Sequence, residues 1–320
     1  MTIQRWGITV PFAGVPLHAH RDWFVELEDL GFTDIWSSEV NAHDAFTPLA
    51  LAAAWAPSLR LGQAIVPAYT RGPALLAQSV ASLAEAAPGR VVLGLGTSSN
   101  VIVERWNNIA FDKPYQRVRD TVLFLRAAFA GEKITEDYET FSVKGFRLGI
   151  RLAEPPPILL AALRPGMLRL AGTIADGAII NWLGPEDVRT VVPHVGEDKE
   201  IAARIFVMPS TDRSAVLAIG KRMIAEYLNV EVYAAFHDWL GRGEELGPMW
   251  AAWKAGDRAG AVEAIPDRVV DDLLVHGTPE ACAERVLEYV ANGVTTPAPM
   301  IIADPETTRT VLRAMSAARR

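Results

Sequence analysis

The sequence predicts an α/β fold, a closed (β/α)8 TIM barrel, and three observations predict it. Short β-branched runs alternate with longer amphipathic stretches along most of the chain, and eight such runs can be picked out. Strands that alternate with helices pair in parallel, because parallel neighbours need a crossover connection. The chain has 320 residues, half of them apolar, which is enough for one barrel of this kind at roughly 250 residues with room for an insertion.

The first strand is Ile8-Thr9-Val10, bounded by Pro11, and a helix from His20 to Leu30 follows it and stops at Gly31. Phe32 to Ser37 is the second strand. Thr47-Pro48 has the form of an N-cap with proline at the first helical position, opening a helix to Trp55. Leu59 to Val66 is the third strand, ended by Pro67. Pro73 to Ala86 is helical, and Pro88-Gly89 breaks it. Val91 to Leu95 is the fourth strand, Lys113 to Phe129 a helix, and Gly131 to Glu154 a small hairpin insertion. Ile158 to Ala162 is the fifth strand, Met167 to Ala175 a helix, Ala178 to Trp182 the sixth strand and Ile201 to Met208 the seventh. Residues 213–272 lack strand character and read as a helical insertion before the last strand. Thr278-Pro279-Glu280 caps another helix. Pro299 to Ala303 is the eighth strand, and Pro305 starts the final helix. Residues 1–320 are thus expected to form one barrel domain.

Composition narrows the function. Lys plus Arg is 31 and Asp plus Glu 38, a formal charge of −7. That balance argues against a nucleic-acid binder, which carries a basic face. No signal peptide and no stretch of roughly 20 uncharged apolar residues is visible, so a cytoplasmic protein away from membranes is expected. Cys282 is the lone cysteine, which rules out an intramolecular disulfide, and it falls inside a helix as a packing residue. His18 and His20 are read as surface histidines rather than metal ligands, and no metal site is expected. No nucleophile elbow of the form G-x-S-x-G is present. The protein is therefore expected to supply a shaped cleft and a cofactor the reactivity.

In a barrel, that cleft lies at the C-terminal ends of the strands. Gly94-Leu95-Gly96-Thr97-Ser98-Ser99 follows the fourth strand. It lacks the third glycine of a dinucleotide fingerprint and reads as a tight turn needing glycine's backbone freedom, or as backbone lining a flat ligand. Ala162-Leu163-Arg164-Pro165-Gly166-Met167 passes from strand to helix. The N–H groups of Gly166 and Met167 are free donors there, suited to a phosphate, with Arg164 adding charge. An ordinary strand-to-helix turn explains the same residues.

Three segments, in this order, resemble the luciferase-like monooxygenase superfamily, specifically its coenzyme F420-dependent oxidoreductase branch. They are Gly62-Gln63-Ala64-Ile65-Val66-Pro67-Ala68-Tyr69-Thr70-Arg71-Gly72-Pro73, Gly89-Arg90-Val91-Val92-Leu93-Gly94-Leu95-Gly96 and Leu170-Ala171-Gly172-Thr173-Ile174-Ala175-Asp176-Gly177. The resemblance implies a barrel with an insertion, usually dimeric, acting on a small organic substrate. It implies a deazaflavin or flavin ring across the strand ends, its phosphate near Gly166, and a non-proline cis peptide near Ala64–Ile65 behind the ring. Sugar-phosphate dehydrogenases of this family carry a His and a Glu where this chain has Val40 and Ser99, which argues against that reaction. Glu39 remains as the candidate proton donor, a role that needs a raised pKa. Ser38, Thr97, Ser98 and Asn181 are candidate partners of the ring edge, and Phe12 and Trp182 candidate walls. The rival expectations are an FMN-dependent monooxygenase of the same fold and a cofactor-binding protein without turnover.

Overall fold

The computed structural model describes residues 5–196 and 198–319. Eight strands run side by side in chain order: β1 (Gly7–Thr9), β2 (Asp34–Ser37), β3 (Arg60–Gln63), β4 (Val91–Gly96), β5 (Ile158–Ala161), β6 (Gly177–Asn181), β7 (Glu200–Met208) and β8 (Thr296–Ile301). Every pair between these neighbours is parallel, as the crossover helices require. The hairpin between β4 and β5 is present as Ile134–Asp137 and Ser142–Phe146.

The eighth strand differs from expectation. It starts at Thr296, and Pro297 and Pro299 lie within it. Prolines lack a ladder donor and sit where a strand needs none. β8 pairs with β7 from Ala202↔Thr296 to Val207↔Ile301. On its other side it meets β1 without backbone pairing among the described residues, and the Thr9 hydroxyl donates to the Ala298 carbonyl at 3.0 Å across that seam. The third strand also ends early, at Gln63, and a short stretch Val66–Pro67 resumes pairing with Leu95 and Gly96 of β4. Between them the Ala64–Ile65 peptide is cis, at the position the resemblance implied.

Inward-facing side chains stack in layers along the barrel axis. At the N-terminal end Arg60 grips Glu200 with two parallel bonds of 2.7 and 2.8 Å and reaches Asp34 at 3.1 Å. Thr296 donates to the same Glu200, and Thr33 to Asp34. Above this ionic layer lies an apolar one of Trp36, Val92, Leu159, Ile179, Ala202 and Ala298.

Helix starts follow local chemistry. Thr278 caps Pro279–Ala291 through its hydroxyl, as expected. Thr47 does not cap its helix. Asp44 accepts from the N–H groups of Phe46 and Thr47 at 2.8 and 2.9 Å, so the helix begins at Thr47 itself. A π-helical turn at Val101–Trp106 has no counterpart in the sequence expectation.

Between β7 and the helix Pro279–Ala291 lie five more helices: Arg213–Leu228, Glu231–Trp239, Gly243–Lys254, Arg258–Glu263 and Asp267–Leu273. They build a core of their own, with Ile224, Leu228, Leu246, Met249 and Val270, and share it with Trp182, Phe206 and Met208 from the strand ends. The insertion thus roofs the barrel over β6 to β8. His237 lies buried in it, neither ring nitrogen properly partnered. Burial, reinforced by the Arg242 guanidinium, lowers its pKa to about 3. The unfolded chain protonates this ring near pH 6.5 and the folded chain does not, so acid favours unfolding. We expect His237 to remove up to about 1.4 kcal/mol of stability per pH unit as pH falls below about 6.5. Urea unfolding of His237→Phe at pH 7 and pH 5 checks this: the variant should lose less on acidification than the wild type. An equal loss in both proteins refutes it.

Candidate active site

The inner faces of β5 to β8 are buried until their upper ends. There Ala161, Asn181, Arg204 and Met300 keep partial exposure, as do Ala64 and Ile65 at the end of β3. These residues outline a crevice at the C-terminal mouth of the barrel. Its floor explains the Gly94-Leu95-Gly96 segment. A methyl on Gly94 would overlap the Gln63 carbonyl oxygen and the Ile179 side chain. One on Gly96 would stand 2.8 Å from the Ala161 Cβ and 3.1 Å from the Ile65 Cδ1. Neither glycine has positive φ. The expectation of a turn needing backbone freedom is therefore corrected: these glycines clear space for the cis bulge of β3.

Structure sorts the other candidates. Thr97 and Ser98 are half-buried just beyond β4, Ser98 with φ +61°. Ala162 is buried, and its N–H donates to the Ile179 carbonyl, so it serves the sheet. Arg164 is exposed and immediately precedes the helix Pro165–Ile174, whose start has no side-chain cap. Gly166 faces open space and Met167 is half-buried. The N–H donors of that turn are thus available to an anion.

The aromatic walls sit deeper than expected. Phe12 is 5% exposed and packs on Trp23 and His20. His20 is not a surface residue: it is fully buried, accepts from the Phe12 N–H at 2.9 Å and lies 3.0 Å from the Pro16 carbonyl. It pins the loop after β1. No cluster of metal-ligating side chains occurs among the described residues. Trp182 is 1% exposed, has φ +55°, and packs against Phe206 and Tyr227 under the insertion. Cys282 is buried in its helix, and burial lifts its thiol to about 12, which keeps it from acting as a nucleophile.

Ser38 and Glu39 leave β2 side by side. Glu39 lines a cavity of about 240 Å³ with Val40, His43, Pro67, Thr70 and Ile102. Its carboxylate accepts from Arg71 at 2.5 Å, from the Ala45 N–H at 3.1 Å and from Thr70 at 3.4 Å. Arg71 also lies over the Phe46 ring, 4.8 Å from its centre. Every contact of Glu39 is as an acceptor. As placed it clasps the loop 39–46 to the segment after β3. Arg71 was missed by sequence reasoning because the pairing spans 32 positions. Arg204 was also missed, although it is the one charge inside the apolar run Ile201–Met208 and shares the inward face with Ala202 and Phe206.

Comparisons agree with this geometry. The 5,10-methylenetetrahydromethanopterin reductase of Methanolobus tindarius is 28% identical over 283 residues, 84% of this chain and 85% of that protein. The structure of a coenzyme F420-dependent tetrahydromethanopterin reductase from Methanopyrus kandleri superposes with a TM-score of 0.78 at 20% identity, covering 99% of this chain and 98% of the other. An F420-dependent secondary alcohol dehydrogenase, in complex with an F420–acetone adduct, also gives 0.78, at 15% identity over the whole of both chains. A sequence model of the luciferase-like monooxygenase domain matches residues 5–296, and with the bulged eight-stranded barrel in view the chain belongs to that family.

Proposed function

We propose that the protein is an F420-dependent oxidoreductase that transfers hydride between the deazaflavin and a small organic substrate, working as a homodimer in the cytoplasm. The observation that carries this reading is the crevice floor, where two glycines let the end of β3 lie close, together with a helix start that has no side-chain cap. The F420 dependence of the Methanopyrus kandleri reductase and of the secondary alcohol dehydrogenase supports the choice of cofactor.

The residues present suit the group. A Cβ on Gly96 would press on Ala161 and Ile65, and its absence keeps the crevice floor free of a protruding side chain. The open helix start at Gly166 and Met167, with Arg164 beside it, offers N–H donors and one positive charge to a phosphate. Thr97, Ser98 and Asn181 stand where they can hydrogen-bond a ring edge. Bound there, the deazaflavin supplies a hydride donor or acceptor. The chain's share is orientation and exclusion of water: the insertion roofs the crevice, and the Glu39–Arg71 clasp fixes the loop at its rim.

Parallel fluorescence titrations test the reading, with F420 expected to bind more tightly than FMN. Gly166→Pro removes one donor from the helix start, where proline is sterically tolerated. We expect it to weaken F420 binding about 10–100-fold, the worth of a hydrogen bond to a charged group, with the melting curve unchanged. Unchanged affinity in the folded variant would place the phosphate elsewhere. Tighter FMN binding with substrate-dependent oxygen uptake would make the protein a monooxygenase. F420 binding with no turnover on a broad substrate panel would make it a carrier.

A further inference from the structure

Arg204 stands in the crevice with no acidic partner among the described residues. It lies in β7 beside Asn181 of β6, the two being in register. Its Nη2 points at the Met300 sulfur at 2.8 Å, its Nε is buried and unpartnered, and its guanidinium lies 5.2 Å from the centre of the Phe206 ring. A thioether is a weak acceptor. Burial pulls the Arg204 pKa down, and the only groups that oppose the shift are the Tyr227 and Tyr233 hydroxyls. An arginine stays charged even so. Asn181 donates to the Tyr233 hydroxyl at 3.2 Å and leaves its own Oδ1 unpartnered.

A charge this far withdrawn from water, with no counter-ion among the described residues, is costly, and a methionine or leucine would pack well at this inward position. Nothing in the barrel frame uses the charge: the ionic layer at the far end is complete without it. The missing partner must therefore arrive with a ligand. One planar guanidinium matches a carboxylate, which takes two parallel N–H bonds. A phosphate dianion calls for more than one cation. The remaining partly exposed neighbours are Met300 and Tyr227, which suit an apolar body.

We propose that Arg204 is the specificity-determining residue of this crevice and that the substrate is a carboxylic acid with an apolar body, its carboxylate held by Arg204. This rests on the crevice being the substrate side of the F420 site proposed above. The test compares an acid with its neutral amide of the same shape: hexanoate with hexanamide, and cyclohexanecarboxylate with cyclohexanecarboxamide. Binding to the F420-loaded protein is read by tryptophan fluorescence, Trp182 being packed on Phe206, and by thermal shift. In the wild type each acid should bind about 10–100-fold more tightly than its amide. Arg204→Met should abolish that preference while keeping the F420 affinity, and Arg204→Gln replaces it if the methionine variant does not fold. A wild type that shows no preference for either acid, or a variant that keeps it, overturns the proposal. F420 affinity is measured first and separately. If F420 does not bind, the cofactor reading fails, and the same acid–amide comparison on the cofactor-free protein still decides the role of Arg204.

Discussion

Replacing Arg60 with methionine is expected to cost the fold about 3–5 kcal/mol, the range for breaking a buried ion pair by removing one partner. Arg60 is the shared cation of the layer that closes the N-terminal end of the barrel, with side-chain exposure of 12% against 17% for Glu200 and none for Asp34. Burial alone would raise the Glu200 pKa. The bonds and charge of Arg60, with the Thr296 hydroxyl, outweigh it and hold the carboxyl below its ordinary value. A carboxyl so held contributes stability that is present above the unfolded-state pKa and lost as pH falls through the folded-state value. Asp34 behaves in the opposite sense. Its burial outweighs the help of Thr33, Arg60 and Arg5 and raises its pKa, so ionised Asp34 depends on Arg60 being there. Urea unfolding near pH 7 measures the effect. A loss below about 1 kcal/mol, the range of exposed pairs, would show that the layer is solvated and the account wrong.

Gly94→Ala is expected to be the most damaging single-methyl change in the crevice, at about 3 kcal/mol or more, the upper end for overpacking. The obstacle is the Gln63 carbonyl, a backbone atom of the neighbouring strand, and it cannot swing aside as a side-chain tip can. The added carbon must displace the end of β3 and with it the Ala64–Ile65 bulge. Stability and F420 affinity should therefore fall together. Gly166→Ala is the control: its Cβ meets nothing within 4 Å, so its melting curve should match the wild type. Thermal melts and F420 titrations on both variants check this. If Gly94→Ala melts like Gly166→Ala, the glycine is not there for clearance.

Most of the barrel was legible because its strands are short apolar runs punctuated by Pro and Gly, and many of its helices open on proline. Errors arose where tertiary context overruled local chemistry. Pro297 and Pro299 look like strand breakers, yet the strand holds them because one side of it faces a seam. Thr47 looks like a cap, yet Asp44 takes the role from three positions earlier. The cavity-lining turn at Val101–Trp106 has a π-helical form that no hydrophobic period announces. In the site, Gly94 and Gly96 could be seen as small, but their reason lies on another strand. Glu39 could be seen as an acid at a strand end, but its pairing with Arg71 could not, because 32 positions separate the two. The lone arginine of an apolar strand was in plain view, and the alternation of that strand already aimed it inward.

The seam between β1 and β8 ties together residues 289 positions apart. The same ends are sewn outside the barrel, where Arg309 and Arg313 bind Glu26 and the Ser316 hydroxyl donates to the Leu30 carbonyl. Contacts this distant in sequence form late, because the intervening chain must first be brought together. On the ribosome, β1 therefore emerges early and waits for nearly the whole chain to be made before its outer neighbour exists. Until then it presents an open sheet edge, the kind that recruits strands from other chains. Prolines in β8 leave few backbone donors to compete for that edge, so closure relies on a threonine hydroxyl and on the docking of the last helix. A nascent chain stalled short of β8 is thus an open sheet, bare along β1 and along most of β7.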